Sequence, residues 1–189
     1  NGFLIVGGDF TSFDSVVARG VVRLRTDGSV DKTFDAGMGA NGPVFSVQVA
    51  GNDGKIVVGG EFTSMNGDTN YVRVVRLNGD GTVAASFQPS GGPNDIVHTV
   101  SLQSDGKIII GGGFTAVGSI TNINRFARLT AAGDLDPTFN IGSGANRFVA
   151  SSLVQQDGGV VIAGSFTSVN NTIQNRIARL NGGGNIGIG

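Results

Sequence analysis

Short apolar runs recur along the chain at a fixed interval. They are Phe3-Leu4-Ile5-Val6, Ile56-Val57-Val58, Ile108-Ile109-Ile110 and Val160-Val161-Ile162. Each follows an Asx-Gly pair (Asn1-Gly2, Asp53-Gly54, Asp105-Gly106, Asp157-Gly158), stops at a pair of small residues and resumes at Phe-Thr. The phenylalanines Phe10, Phe62, Phe114 and Phe166 are spaced 52 residues apart. The runs are β-branched and too short for helices, so they predict strands buried on both faces. The preceding Asx-Gly pairs predict tight hairpins, because these residues tolerate the positive φ that such turns require.

A second set of strands alternates apolar and polar positions: Val21 to Leu24, Val74 to Leu77, Phe126 to Leu129 and Ile177 to Leu180. Period two puts Val75 and Leu77 on one face and Val74 and Arg76 on the other. A turn glycine follows each arginine by five residues (Gly28, Gly81, Gly133, Gly184). A third strand is expected to close on Phe34, Phe87 and Phe139. After a Gly/Asn loop holding Asn41, Asn94 and Asn146, a fourth is expected over 44–49, 96–102 and 148–154. No stretch has helical periodicity.

The expected fold is therefore all-β. It is a repeat protein of four-stranded antiparallel units, β-propeller-like, with about 3.5 blades of 52 residues, because a unit of this length and strand count fits a propeller blade. Residues 1–189 form one repeat domain with units 1–52, 53–104, 105–156 and 157–189. The last unit is incomplete after Asn181, and the whole is expected to be part of a larger protein or assembly with open sheet edges.

The positions held through all four units are Gly8, Gly60, Gly112 and Gly164, the four phenylalanines, and Arg23, Arg76, Arg128 and Arg179. The first residue of the glycine pair becomes Ala163 in the last unit, so that slot needs a small side chain. The second glycine implies positive φ or close backbone approach. An arginine in every unit favours a structural role, with the guanidinium fork tying loop carbonyls or a carboxylate of an adjacent blade. The competing reading is a ring of cations for an anionic ligand.

Composition narrows the function classes. With 39% hydrophobic and 14% charged residues the chain is not disordered, and its 33 glycines have no collagen period. A net charge of -1 supplies no basic field for nucleic acid or an anionic membrane, and no apolar run reaches the length of a membrane-spanning helix. The absence of cysteine removes disulfides and thiolate chemistry.

Three motifs resemble the delta-60 repeat family of bacterial surface and secreted proteins: Asp105 to Thr115, Arg76 to Gly81 and Asp136 to Asn146. Ala163, Ala84 in the slot of Asp31 and Asp136, and the tail after Asn181 depart from the pattern. The resemblance implies a β-propeller and an extracellular or surface-exposed location, whether secreted, cell-surface or virion-associated. It transfers no catalytic residues.

Candidate chemistry is sparse. Gly37-Met38-Gly39-Ala40-Asn41-Gly42 matches a dinucleotide fingerprint, but Pro43 and a strand follow where a helix should open. His98, the single histidine, shares its slot with Phe45 and Ala150, which favours a structural role over that of a general base. Asp80, Asp134 and Asp136 could suggest calcium, but their slots are not acidic in every unit and turn chemistry accounts for them. No catalytic, cofactor or metal residues are assigned. The variable loops after Phe-Thr are the candidate recognition elements, with Asn70, Tyr71 and Arg73 bordering one of them.

The expected function is thus non-enzymatic: a structural or adhesive surface module presenting loops on a β-propeller-like scaffold. Its partners would be proteins, or further copies of itself met through open edges. A glycan is the remaining ligand class, although no Trp and one Tyr leave few stacking platforms. The alternatives are a self-assembling subunit of an extracellular fibre or virion appendage, and a propeller-type hydrolase or lyase, for which no constellation is visible.

Overall fold

The computed structural model describes residues 2–51 and 53–186. The expected turn residue Asn1 and the last three residues of the tail lie outside the described residues. Among the described residues every regular element is a strand.

The chain opens with β1 (Leu4–Gly7), a small hairpin of β2 (Ser12–Phe13) and β3 (Val16–Val17), and β4 (Val21–Leu24). Next come β5 (Val44–Val49), β6 (Ile56–Gly60) and β7 (Val74–Leu77). The third group is β8 (Val97–Leu102), β9 (Ile108–Gly112), the hairpin β10 (Ala116–Val117) and β11 (Ile120–Thr121), and β12 (Phe126–Leu129). The fourth is β13 (Val149–Val154), β14 (Val160–Gly164), the hairpin β15 (Ser168–Val169) and β16 (Thr172–Ile173), and β17 (Ile177–Leu180). They form four successive antiparallel sheets: β1-β4, β5-β6-β7, β8-β9-β12 and β13-β14-β17.

Each three-stranded sheet joins the last strand of one 52-residue unit to the first two of the next, so the repeat boundary runs through the β5-β6, β8-β9 and β13-β14 hairpins. The turns differ from the expected type. The Gln103 carbonyl accepts from Gly106 N at 3.0 Å, and only the glycine takes positive φ, at 83°. Asp105 instead accepts the Lys107 amide through its carboxylate. This is a three-residue loop whose glycine forms the bulge.

The expected third strand is reduced to one bridging pair per sheet: Leu24 with Val30, Leu77 with Val83, Leu129 with Leu135 and Leu180 with Ile186. The cause is local. Asp136 N donates to the Arg128 carbonyl, and Phe139 N then donates to the Asp136 carbonyl, so the chain turns away after a single rung. The tail after Asn181, which looks degenerate as sequence, keeps this bridge.

The second glycine of each pair does not have positive φ. It is required by close approach. A Cβ on Gly60 would lie 2.2 Å from the Pro43 carbonyl oxygen, and one on Gly112 2.0 Å from that of Ile96. The first glycine faces the next sheet, where a Cβ on Gly59 would meet Val100 at 2.7 Å.

Packing between sheets forms the core. The fully buried Phe62, Phe114 and Phe166 sit beneath the loops, and every residue of β6 and β9 is buried. Burying one such phenylalanine is worth roughly 1.5–3 kcal/mol. The inner strands β5, β8 and β13 lie against one another. Small hydroxyls link them along part of their length: Val100 N donates to Ser46 Oγ, and Thr99 Oγ1 lies 3.0 Å from Ser152 Oγ.

Candidate functional site

The hairpins that follow Phe-Thr emerge from the same end of successive sheets, and a recurring asparagine fixes the roots of the second, third and fourth. Asn41 Oδ1 accepts from the amides of Thr63 and Ser64, while its Nδ2 donates to Thr63 Oγ1. Asn94 repeats all three bonds with Thr115 and Ala116, and Asn146 with Thr167 and Ser168. Sequence reasoning saw these asparagines in matching slots but gave them no role. Their spacing from the Phe-Thr pair was the available signal.

The hairpin tips are polar in their backbone and apolar in several side chains. Val17 is 80% exposed and Ile173, in the same slot three sheets on, is 78% exposed; Ile120 is exposed on a hairpin between them. Of the three residues expected to border an interaction loop, Asn70 is exposed, whereas Tyr71 is half-buried with its ring centroid 6.4 Å from that of Phe87. Arg73 takes φ 61° and donates through its guanidinium to the Pro93 carbonyl of the next sheet at 2.9 Å. Tyr71 and Arg73 therefore brace the loop from below.

Two of the recurring arginines, Arg128 and Arg23, join one sheet to the next. Arg128 Nε donates to Asp136 Oδ2 at 2.8 Å, Nη2 to Thr138 Oγ1 at 3.0 Å, and Nη1 to the Gly182 carbonyl of the following sheet at 2.7 Å. Arg23 repeats the arrangement with Asp31, Thr33 and the Gly79 carbonyl. Burial pushes the Asp136 carboxyl up, but hydrogen bonds from the Thr138 hydroxyl and amide, with the Arg128 charge, outweigh it and hold the pKa at about 2. Asp31 stands at about 2 as well. There the rise from burial is outweighed by the Thr33 amide and hydroxyl and by Arg23. Arg179 pairs with Gln155 and Asp157 at the surface. Arg76 has lost the aspartate partner, because Ala84 fills that slot.

His98 lies in a row of aromatic rings, between Phe45 of β5 and Phe148 just before β13. It stacks on Phe45 with centroids 5.1 Å apart and meets the Phe148 ring edge-on at 4.4 Å. Phe45 and His98 are the extra residues where β5 and β8 bulge, which re-aims their side chains. Burial lowers the imidazole pKa, against the opposing charges of Asp95 and Glu61.

The aspartates considered for a cation are engaged by protein donors, Asp80 in its own turn but Asp134 with Ser90, 44 residues away and not in the expected turn. Asp80 accepts from the Thr82 amide and hydroxyl, and Asp134 from those of Ser90. Among the described residues no three His, Asp or Glu side chains converge as a metal site. The Gly37-Met38-Gly39 segment is a turn docked on the next hairpin, with Met38 N donating to Asn66 Oδ1. Among the described residues no helix is long and apolar enough to cross a membrane.

Sheets arranged side by side, inner strands touching and loops clustered at one end define a β-propeller architecture. The chain belongs to the family described as a beta-propeller domain of unknown function (DUF5122), whose profile matches residues 1–34, 51–87, 103–139 and 155–186. Among solved structures it resembles the WD40 beta propeller domain of Doa1, with a TM-score of 0.54 and 16% identity over 88% of this chain and 52% of that one. The chain thus spans about half the length of that structure. It also matches a protein of unknown function from Bacteroides caccae, with 15% identity, a TM-score of 0.49, and coverage of 88% and 57%. Comparison with curated proteins finds no match.

Proposed function

We propose that this chain is a non-enzymatic interaction module of the delta-60 kind, structural or adhesive and exposed at a cell or particle surface, that offers its hairpin tips to a protein partner. The observation that supports this reading is the exposure of Val17, Ile120 and Ile173 on the hairpins that follow Phe-Thr, the latter two on hairpins rooted in an asparagine clasp. Exposed β-branched side chains on well-anchored hairpins present apolar area at low entropic cost, which is what a binding surface needs. The extracellular setting rests on the resemblance to surface and secreted repeat proteins. The test is adhesion of protein-coated beads to bacterial cell surfaces and to purified matrix proteins. The triple variant Val17→Ser, Ile120→Ser, Ile173→Ser should melt as the parent does and lose adhesion. Adhesion unaffected by the triple change would remove the tips from the function.

A second reading, assembly with further sheets, is favoured by the outward face of the last sheet. Phe126 on β12 is fully buried against the fourth sheet, but Ile177 in the equivalent slot of β17 is 60% exposed, as is Leu153 on β13 at 62%. This apolar face fits another sheet of the same kind, from a longer polypeptide or a second copy. Electron-microscope images separate the outcomes. Closed rings would indicate completion of the propeller, and fibres would indicate open-ended assembly.

A further inference from the structure

The cleft between the second and third sheets has a volume of about 870 Å3 and is lined by Arg76, Lys55, Asp53, Ser86, Gln103 and Ala131, among others. It owes its existence to coordinated departures from the repeat. At Arg128 the guanidinium is surrounded by Gln103, Asp136, Thr138 and the Gly182 carbonyl. The corresponding positions around Arg76 are Ala50, Ala84, Ser86 and Ala131. Two side-chain partners have been shortened away, and no hydrogen bond to the Ala131 carbonyl forms among the described residues. What is left is Asp53, whose Oδ2 lies 3.3 Å from Arg76 Nη2.

The arginine itself has not been withdrawn to solvent. Its side chain is only 7% exposed, and its buried Nε has no hydrogen-bond partner among the described residues. A buried guanidinium short of acceptors is costly, so the sequence would be expected to lose it or to supply an acceptor. The charge count points the same way. Lys55 Nζ lies 3.6 Å from the same Asp53 Oδ2, so two cations share one carboxylate. The other acid of the cleft, Asp105, is paired with Lys107 at 3.3 Å.

We propose that this cleft is a binding site for a small organic carboxylic acid, whose carboxylate meets the Arg76 guanidinium in place of the aspartate that other units carry. A planar carboxylate matches the guanidinium fork in shape and charge. Lys55 supplies the second cation and Ser86 a hydroxyl. Val49, Leu102 and Ala132 provide apolar wall for the body of the acid.

The repeat provides its own control. Ala84→Asp installs the carboxylate that Asp31 and Asp136 already provide in this slot, and so fills the site from within. Acetate is the probe, added at pH 7 and constant ionic strength against chloride. The expected result is a melting temperature that climbs with acetate in the parent, with the response reduced at least tenfold in A84D. A84D should itself melt higher in the absence of acetate. A second readout needs no variant: the Arg76 guanidinium proton resonances should move on titration with acetate while those of Arg128 stay fixed. Equal acetate responses in the parent and A84D, or guanidinium signals that do not move, would overturn the assignment. Sulfate matching acetate in the same titrations would also overturn it, because the site would then read charge and not a carboxylate. The outcome is independent of whether the hairpin tips are adhesive.

Discussion

Arg128 and Asp136 meet at 2.8 Å with both side chains buried, and the same guanidinium reaches the Gly182 carbonyl of the neighbouring sheet. One side chain thus closes a turn within its own sheet and fastens that sheet to the next. Removing either partner leaves a buried charge without compensation. Asp136→Ala is therefore expected to cost about 3 kcal/mol. Arg179→Ala, which breaks the exposed pair with Asp157, should cost less than about 1 kcal/mol. Chemical denaturation of the two variants side by side checks the contrast. Equal losses would show that the buried pair has no special weight.

The same carboxylates set the acid limit of the fold. Asp31 and Asp136 titrate at about 2 in the folded chain, against an ordinary value of 3.8. A folded-state pKa below the unfolded one means that the unfolded chain takes up protons first. The stabilisation is complete above about pH 4 and is lost as pH falls from there through 2. Melting temperature measured from pH 6 to pH 2 should be governed by this step at its acid end. In the double variant Asp31→Asn, Asp136→Asn, the pH 6 value should be lower and the fall below pH 4 shallower. An unchanged slope would assign the acid sensitivity to other groups.

Glycine contributes in two separable ways, and two alanine substitutions distinguish them. A Cβ on Gly112 would sit 2.0 Å from the Ile96 carbonyl oxygen, a contact with backbone that no rotamer change relieves. Gly112→Ala should cost upwards of about 3 kcal/mol, or prevent folding. On Gly79 the added Cβ meets the Gly54 carbonyl at 3.4 Å, an ordinary contact, so Gly79→Ala should change stability by no more than about 0.5 kcal/mol. Thermal melts of the pair are sufficient. A tolerated Gly112→Ala would mean that β8 and β9 can separate locally.

The repeat was legible because its carriers are local. A strand such as Ile108 to Ile110 declares itself by β-branching and flanking glycine, and the period then copies the reading along the chain. The membership of each sheet was harder to read. A periodic sequence shows how long the unit is, and its Asx-Gly pairs already predict β5 folding back on β6, but it does not show where one sheet ends and the next begins. The single rung at Leu129 and Leu135 was also hidden, since an apolar residue followed by Asp-Pro-Thr reads equally well as a strand or as a turn. The Arg76 cleft was half visible. Ala84 stood out as a departure, but its meaning depends on Ala50 and Ala131, which lie far apart in sequence and line one cleft only after folding.

Asn94 governs how firmly a hairpin is presented. Its carbonyl oxygen takes two amide protons, from Thr115 and Ala116, and its Nδ2 donates to the Thr115 hydroxyl. Asn94→Ala leaves two amides at the hairpin root without this acceptor and should cost about 1–3 kcal/mol. Asn94→Asp retains the acceptor oxygen and loses only the donor, so its effect should be smaller. The loss should also be local in origin. Hydrogen exchange is expected to quicken at Thr115, Ala116 and through β10 and β11, while the amides of β9 keep their protection. If β9 loosened in step with the hairpin, the clasp would be part of the core and not a mount for the tip. If neither changed, the hairpin would be held by its own Gly118 N bond to the Gly92 carbonyl at 2.9 Å and by Val117 beneath it.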